Sequence, residues 1–374
     1  MPANPIIHLT IPEIDESEID EIRAVLASGY LTQGPKVAEF ERMIAEYVGA
    51  KYAFATSSAT TALHLSLAAL NIVEGDEVLI PDFTFPATAN VVVQQGATPV
   101  LVDIDLETFN INLADLAAKI TPRTKAIMPV HAFGLAADMK PLLELAAQHH
   151  LAVIEDAACA IGSTYYDQQC GIMGTLGCYS FHPRKVITTG EGGMIVTNDE
   201  ALAEQIKLLR SHGGVRKNGR FTFEAAGYNY RLSDVLGAMG VAQMRKLDNL
   251  IARKRALAAN LTAQIQDIPG VHTPQIPAWG GHIFQSYVTL LDEGIDRDAV
   301  IAAMREQGVE TTLGTYALHA EPFFMRTLGH HEGDLACSYQ AYRQSLTLPL
   351  YPAMTDADIT RVADALRTVL VHPA

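Results

Sequence analysis

The sequence predicts an α/β protein with a large domain built on a mostly parallel central sheet. From residue 37 to about residue 246, short apolar runs alternate with segments of helical periodicity. This alternation is typical of a parallel sheet covered by helices on both faces. Near residue 250 the order of helices and strands changes, which indicates a smaller C-terminal α+β domain. We therefore divide the chain into a large domain over residues 1–250 and a small domain over residues 251–374.

The elements of the large domain can be assigned in chain order. A first helix is expected over residues 11–28, where Ser17 and Asp20 resemble a capping box and Gly29 can end the helix. Seven short apolar runs predict strands over residues 52–55, 77–80, 99–102, 126–130, 151–154, 178–181 and 194–197. The intervening helices are expected over residues 60–70, 85–94 and 139–149.

The remaining elements lead into the small domain and complete it. A long helical pattern over residues 233–260 connects the two domains. Strands are expected over residues 286–291 and 347–350, and helices over residues 298–307 and 356–370. The last helix has one apolar face, formed by Ile359, Val362, Ala363, Leu366, Val369 and Leu370.

Composition restricts the possible function. Of the 374 residues, 49% are apolar and 18% are charged, which is typical of a globular protein. The net charge of -15 argues against nucleic-acid binding, which requires a basic surface. No run of about 18 apolar residues suggests a membrane span, and residues 1–10 do not resemble a signal peptide. The four cysteines form no C-x-x-C pair, so we expect a reduced, cytoplasmic protein without a metal site.

One lysine lies in a segment that is suited to chemistry. Lys185 follows the strand predicted over residues 178–181 and precedes Gly190, Gly192 and Gly193. Loops between buried strands often carry functional residues, and glycines let the backbone approach a ligand closely. A desolvated lysine has a lowered pKa and can act as a Schiff-base nucleophile, although most lysines are solvated surface groups.

Three other stretches end predicted strands with polar or aromatic groups. Residues 56–61 could bind an anion at a helix N-terminus, or they could only cap the helix. Asp156 could pair with a protonated ring nitrogen or cap the next helix, and Glu155 would point to the opposite face. Phe85 could stack on a flat ligand or pack in the core. With Lys185 these groups fit pyridoxal phosphate, while no GxGxxG or Walker A sequence supports a nicotinamide or ATP site.

These stretches belong to a pattern that covers nearly the whole chain. The sequence resembles the DegT/DnrJ/EryC1/StrS family of sugar aminotransferases, which have fold type I of the pyridoxal phosphate enzymes. The shared motifs are SGYLTQGP, TSSATTALHL, GDEVLIPDFTFPATAN, PVHAFGLAADM, VIEDAACAIGSTY, SFHPRKVITTGEGGMIVTND, GYNYRLSDVLGAMG and LTLPLYPAMTDADI. The resemblance implies pyridoxal 5'-phosphate as the cofactor of the large domain.

The resemblance also implies roles for individual residues. Lys185 would bond to the cofactor and move a proton during the reaction. Asp156 would pair with the pyridine nitrogen, and Phe85 would stack on the ring. The cofactor phosphate would be held by Ala59, Thr60 and Ser180.

Two positions leave alternatives open. Asn229 would reach the phosphate of a neighbouring subunit, which implies a homodimer with shared active sites, although Arg231 could compete for this role. Cys159 stands where many family members have Gln or His. It would either contact the ring oxygen of the cofactor or act as a small buried hydrophobic residue.

The resemblance places the sugar substrate near two loops. Tyr30 and Thr32 lie in the first loop, and Tyr316 and His319 lie in the second. His319 could bond a sugar hydroxyl or phosphate, or it could be a satisfied surface histidine. The basic residues of 216–220 could neutralise a diphosphate, or they could be a solvated run of charges.

The expected activity is transfer of an amino group from an amino acid, with L-glutamate as the expected donor, to a nucleotide-linked keto-sugar. One branch of the family has His in place of the lysine and dehydrates sugars, but here Lys185 is present and His182 fits a packed neighbour of the site. A dehydratase that uses the same cofactor is one alternative. A non-catalytic sensor or scaffold that binds pyridoxal phosphate is another.

Overall fold

The computed structural model describes residues 5–217 and 219–371, and in this part of the chain helices and strands alternate along the large domain. The helices are α1 (Glu16–Ser28), α2 (Pro35–Val48), α3 (Ala59–Ala69), α4 (Ala87–Gln94), α5 (Leu113–Ala118), α6 (Met139–Gln148), α7 (Glu200–Arg210), α8 (Asp234–Met244), α9 (Leu247–Ile265), α10 (Arg297–Glu306), α11 (Pro322–Leu328), α12 (Ala336–Gln344) and α13 (Asp356–Val371). The strands are β1 (Tyr52–Thr56), β2 (Glu77–Pro81), β3 (Phe83–Thr84), β4 (Thr98–Val102), β5 (Thr124–Ile127), β6 (Ala152–Asp156), β7 (Thr164–Tyr165), β8 (Gln168–Gln169), β9 (Leu176–Ser180), β10 (Gly193–Thr197), β11 (Gly214–Lys217), β12 (Arg220–Phe223), β13 (Val271–His272), β14 (Gly280–Gly281), β15 (Tyr287–Leu291), β16 (Thr312–Leu313), β17 (Tyr316–Ala317) and β18 (Ser345–Leu348).

The central sheet has seven strands in the order β1-β10-β9-β6-β5-β2-β4. The pairs β2–β4, β2–β5, β5–β6 and β6–β9 are parallel, and β10 is antiparallel to both β9 and β1. The predicted α/β class with a mostly parallel sheet is therefore confirmed. In such a sheet the carboxyl ends of the parallel strands meet at one edge, and ligands bind there.

Two helix predictions are wrong in detail. The helical pattern over residues 233–260 forms two helices, α8 and α9, rather than one. The capping box of α1 consists of Asp15 and Glu18 instead of Ser17 and Asp20. The backbone N–H of Ser17 donates to Asp15 Oδ1 at 2.8 Å, and the N–H of Asp15 donates to Glu18 Oε2 at 2.8 Å. A carboxylate at the N-cap is favoured there because it also faces the positive end of the helix dipole.

The helix α9 packs on two separate hydrophobic cores. Its first residues, Leu250 and Ile251, lie in the core of the large sheet. Leu257 and Leu261, further along the helix, pack in a second core with α10, α13, β15 and β18. Ile7 also belongs to this second core. We propose that the boundary between the two domains falls inside α9, and that the N-terminal arm packs on the small domain.

Two further observations concern membrane-spanning helices and disulfide bonds. None of the helices in residues 5–217 and 219–371 combines the length and apolar character needed to cross a membrane. All four cysteines are unpaired thiols.

Candidate active site

The lysine segment connects β9 to β10 at the centre of the sheet. Lys185 lies in a turn, and its backbone N–H donates to the carbonyl oxygen of His182 at 2.8 Å. Its side chain is half-buried, and Nζ donates to Cys159 Sγ at 2.9 Å. His182 Nδ1 accepts the N–H of Arg184 at 3.2 Å, and burial lowers the pKa of His182. These contacts fit the interpretation of His182 as a packed neighbour of the lysine.

Asp156 ends β6 and is 5% exposed. Its Oδ2 accepts the hydroxyl of Thr88 at 2.9 Å, and its Oδ1 accepts the N–H of Ala158 at 3.1 Å. Burial raises the pKa of Asp156, while these hydrogen bonds and the charge of Lys185 oppose the shift. A cationic ring nitrogen would supply the positive charge that a buried carboxylate requires, so the site fits pyridoxal phosphate.

Glu155 serves a different region from Asp156, as the alternation of side chains along a strand predicts. It is fully buried and accepts N–H groups from Gly171 and Gly174, each at 2.6 Å. His131 Nδ1 accepts the N–H of Ala137, so its Nε2 carries the proton and donates to Glu155 at 2.9 Å. The His131–Glu155 pair lies on the side of β6 opposite to Asp156. The sequence analysis did not single out His131.

The start of α3 presents free backbone donors. Ser58 and Thr61 form a capping box, in which each side-chain oxygen accepts the backbone N–H of the other residue. Ala59 and Thr60 are the first two helical residues, where N–H groups have no acceptor within the helix. The capping alternative is therefore observed at Ser58, and the N–H groups of Ala59 and Thr60 are suited to an anion, so anion binding stays a prediction.

The register of three strands places Ser180 beside this helix start. Ser180 on β9 lies opposite Gly193 on β10, which lies opposite Thr56 on β1. A Cβ on Gly193 would stand 2.4 Å from the carbonyl of Ser58 and 2.6 Å from the nitrogen of Ala59. The close approach requires glycine, and it places Ser180 on the strand next to the one that contacts the start of α3.

Phe85 lies between β3 and α4 with 65% of its surface exposed. Its carbonyl accepts the N–H of Thr88 at 3.2 Å, and the Thr88 hydroxyl binds Asp156. Phe85 is therefore tied to the buried carboxylate through one residue. Such exposure does not fit core packing and leaves the ring free to stack on a ligand.

Asn229 and Arg231 lie on a segment that runs along β1. Arg231 forms a bridge with Thr56, and its Nη1 donates to the Ser211 hydroxyl at 3.0 Å. Asn229 forms a bridge with Ser211 and is exposed. Because Arg231 already has a partner within its own chain, Asn229 is the better candidate for a contact to a second subunit.

Tyr30 and Thr32 are both exposed, and Tyr30 is 67% exposed. The loop backbone is held by Asp234, whose N–H donates to the Thr32 carbonyl at 3.0 Å. The Asp234 carboxylate accepts N–H groups from Gly34 at 3.0 Å and Val37 at 2.7 Å. The structure thus fixes the loop while its side chains face outward.

The prediction for His319 requires correction. Its ring is fully buried, Nε2 accepts the N–H of Gly333 at 3.3 Å, and Nδ1 donates to Asp82 Oδ2 at 2.6 Å. Both nitrogens have partners within the chain, so the ring is neither a sugar contact nor a surface histidine. Tyr316, in contrast, is half-buried and lies opposite Thr84, next to Phe85.

The basic stretch forms the hairpin of β11 and β12, and Asn218 lies outside the described residues. Arg216 stands over the ring of Phe221 at 5.8 Å, and Lys217 pairs with Glu224. Phe221 and Phe223 are 61% and 68% exposed, with stacked rings. The hairpin thus carries exposed aromatic rings beside its cationic side chains. A solvated run of charges alone does not account for these rings.

These features define the class of the protein. A mostly parallel sheet that gathers a lysine, a buried carboxylate and a helix N-terminus at one edge is the arrangement of pyridoxal phosphate-dependent aminotransferases. The model of the DegT/DnrJ/EryC1/StrS aminotransferase family matches residues 12–367. The chain belongs to this family.

Two relatives and one solved structure support the same conclusion. GDP-perosamine synthase from Caulobacter vibrioides is 40% identical over 371 residues, which span 98% of this chain and 99% of that protein. The spore coat polysaccharide biosynthesis protein SpsC from Bacillus subtilis is 38% identical over 380 residues, or 98% of each chain. The PLP form of Spr1654 from Streptococcus pneumoniae has a TM-score of 0.93 at 25% identity and covers 99% of both chains. The protein is a sugar aminotransferase, and its cofactor is pyridoxal phosphate.

Proposed function

We propose that the protein transfers the amino group of an amino acid, L-glutamate in our proposal, to a keto group of a nucleotide-linked sugar. The single observation that carries this proposal is the placement of Lys185 beside Asp156 and Cys159 at the centre of the sheet. The name of the GDP-perosamine synthase relative supports a nucleotide-linked product. The four unpaired cysteines support a reducing compartment such as the cytoplasm.

The residues of this chain would divide the work of holding the cofactor. The N–H groups of Ala59 and Thr60, with the Ser180 hydroxyl, would bind the phosphate, and Asp156 would pair with the ring nitrogen. Phe85 would cover one face of the ring. When bound, pyridoxal phosphate supplies an aldehyde that carries the amino group and a cationic ring that accepts electrons.

Lys185 would carry the proton in the reaction. In each half of the reaction its Nζ, as a free amine, would accept a proton from one of the two carbons bonded to the transferred nitrogen and donate it to the other. Cys159 Sγ lies 2.9 Å from Nζ and would orient the amine between transfers. Asp156 would stay ionised while it is paired, because the ring nitrogen would offset its burial.

We also propose a homodimer with shared active sites. Tyr30, Thr32 and Tyr316 would contact the sugar, and the hairpin of β11 and β12 would bind the diphosphate of the substrate. Asn229 would reach the cofactor phosphate of the second copy. Exposed aromatic side chains on the hairpin support this assembly, because such patches mark interaction surfaces.

The direct test is product analysis with a panel of nucleotide keto-sugars and L-glutamate. We expect mass spectrometry to show a sugar in which the keto oxygen is replaced by an amine, with one 2-oxoglutarate formed per sugar. Sugar conversion without consumption of any amino acid would instead identify a dehydratase. Absence of conversion with every keto-sugar and every amino acid tested would contradict the proposed substrate class.

A further inference from the structure

Gln285 precedes β15 and lies a hundred residues from Lys185 in the sequence. Its side chain forms hydrogen bonds with the backbone on both sides of Lys185. Its Nε2 donates to the carbonyl oxygen of Arg184 at 2.6 Å, and its Oε1 accepts the N–H of Val186 at 2.8 Å. The side chain is buried, since Gln285 is only 7% exposed. One amide thus satisfies the two peptide groups that flank the lysine.

We propose that Gln285 is a positioning residue, which fixes the backbone of Lys185 so that Nζ is held at the cofactor. This inference rests on the proposed role of Lys185. A side-chain amide is suited to the task because it has one donor and one acceptor, in the arrangement that a neighbouring strand would offer. The backbone of Lys185 lies in a turn, where no strand provides such a partner.

Gln285 is itself held in place by three neighbouring contacts. Lys254 Nζ donates to the carbonyl of Gln285 at 3.3 Å and to that of Leu350 at 2.7 Å. The N–H of Ser286 donates to the Phe133 carbonyl at 3.3 Å. Lys254 is 3% exposed, so these carbonyls satisfy a charge or amine that water does not reach.

The backbone before Gln285 is strained, which indicates that its position matters. Phe284 has a φ of 53°, a left-handed conformation that is unfavourable for an aromatic residue. His282 Nδ1 accepts the N–H of Phe284 at 3.0 Å and helps to maintain this turn. Strain of this kind persists only where the surroundings over-determine the backbone, and it is typical of functional sites.

The contacts of Gln285 also link Lys185 to the small domain. Leu350 follows β18 and belongs to the second core, and Lys254 lies on α9 between the two cores. A shift of the small domain would therefore reach the lysine through Lys254 and Gln285. The sequence pattern around Gln285 gives no indication of this role.

The test replaces Gln285 by methionine, which keeps the volume and removes both hydrogen bonds. Gln344→Met is the matched control, because Gln344 is also 7% exposed. In the part of the chain that the structure describes, the side chain of Gln344 forms a hydrogen bond only with that of Gln340. Protein freed of cofactor is titrated with pyridoxal phosphate, and the visible absorption of the lysine-bound cofactor is followed from low to high pH. Thermal unfolding of each variant is measured beside it.

We expect Gln285→Met to weaken cofactor binding by about tenfold, the order that loss of two buried hydrogen bonds implies, and to shift the pH midpoint of the absorption band. Gln344→Met should change neither. Gln285→Asn, which keeps the amide on a side chain shorter by one methylene, should fall between wild type and Gln285→Met, and it serves if the methionine variant does not fold.

Two results would overturn the inference. An unchanged affinity and pH midpoint in Gln285→Met, whatever its unfolding temperature, would show that Gln285 only supports the fold. If Lys185→Ala showed the same absorption band as the wild type, the proposed role of Lys185 would be wrong. The proposed role of Gln285, which rests on it, would then be wrong as well. The Lys185→Ala spectrum therefore distinguishes the two failures.

Discussion

The cofactor side of the active site and its outer side are built differently. On the cofactor side, Asp156 and the backbone around Lys185 have hydrogen-bond partners within the chain, and both residues are at least half-buried. On the outer side the aromatic rings are largely exposed: Tyr30 by 67%, Phe221 by 61% and Phe223 by 68%.

The difference teaches which part of the site one chain can complete alone. Hydrogen bonds between strand ends and loops pre-organise the groups that hold and use the cofactor, so these contacts exist before any ligand binds. Exposed aromatic groups gain from burial only when a substrate or another subunit covers them. We therefore expect changes on the cofactor side to affect the chemistry, and changes on the outer side to affect substrate binding and assembly.

Removal of the lysine should have the largest effect. Lys185→Ala should lower kcat by roughly a thousandfold or more, because no other amine would move the proton. Steady-state assays of product formation test this. Lys207→Ala, at an exposed position on α7, is the control and should retain normal activity. Normal turnover by Lys185→Ala would contradict the role of the lysine.

Neutralising the buried carboxylate should have the next largest effect. Asp156→Asn removes the charge that would stabilise a cationic ring nitrogen, and we expect kcat to fall by about a hundredfold. Thr88→Val keeps the charge and removes one of the two hydrogen bonds to the Asp156 carboxylate, so its effect should be much smaller. Equal losses in the two variants would show that the charge of Asp156 is not the important property.

Filling the close approach at the helix start should weaken cofactor binding. The Cβ of Gly193→Ala would stand 2.4 Å from the Ser58 carbonyl and displace the donors of Ala59 and Thr60. We expect the dissociation constant of pyridoxal phosphate to rise by about tenfold or more, as measured by absorption titration. Gly329→Ala lies at the end of α11 with open space around it, and it should leave this constant unchanged.

A change on the outer side should separate binding from chemistry. Phe223→Ser removes an exposed ring from the hairpin, and we expect weaker self-association and a KM for the sugar raised by about fivefold. At protein concentrations at which the variant is still a dimer, cofactor affinity should stay the same. Analytical ultracentrifugation and steady-state kinetics test this, with Val73→Ser as an exposed control far from the hairpin in sequence. Reduced cofactor affinity with unchanged assembly would remove the distinction between the two sides.

The last prediction concerns stability and not catalysis, at the buried Lys254 behind the site. Burial lowers the pKa of Lys254 from 10.5 to about 7 in the folded protein. Between these two values the unfolded chain binds a proton that the folded chain lacks, so this group makes the free energy of unfolding rise with pH. Below about pH 7 both states are protonated and the contribution is constant. The free energy of unfolding of the wild type minus that of Lys254→Met should therefore increase from pH 7 to pH 10. A difference that does not change with pH would contradict this.

The sequence predicted the parts of the molecule that depend on local pattern. Apolar runs and helical periodicity predicted the strands and the α/β class, since both follow from which residues are buried. The resemblance to known motifs pointed to Lys185, Asp156 and the start of α3, because each lies within a short motif formed by a strand end and a loop.

The parts that were missed depend on contacts between distant segments. Gln285 binds the backbone around Lys185 from a hundred residues away, and no local pattern specifies that contact. His319 was expected to contact substrate, but pairing with Asp82 across more than 200 residues buries it. Long-range pairs of this kind arise where segments after residue 280 pack against segments before residue 190, which sequence spacing does not encode.

The most direct test of the central claim is the visible absorption spectrum of the purified protein, before and after addition of L-glutamate alone, with Lys185→Ala measured beside it. We expect the band of the lysine-bound cofactor to fade in the wild type as the amino form of the cofactor appears, and to be absent or altered in the variant. A wild-type spectrum without such a band after addition of pyridoxal phosphate, or a band that is the same in Lys185→Ala, would contradict the claim that Lys185 carries the cofactor.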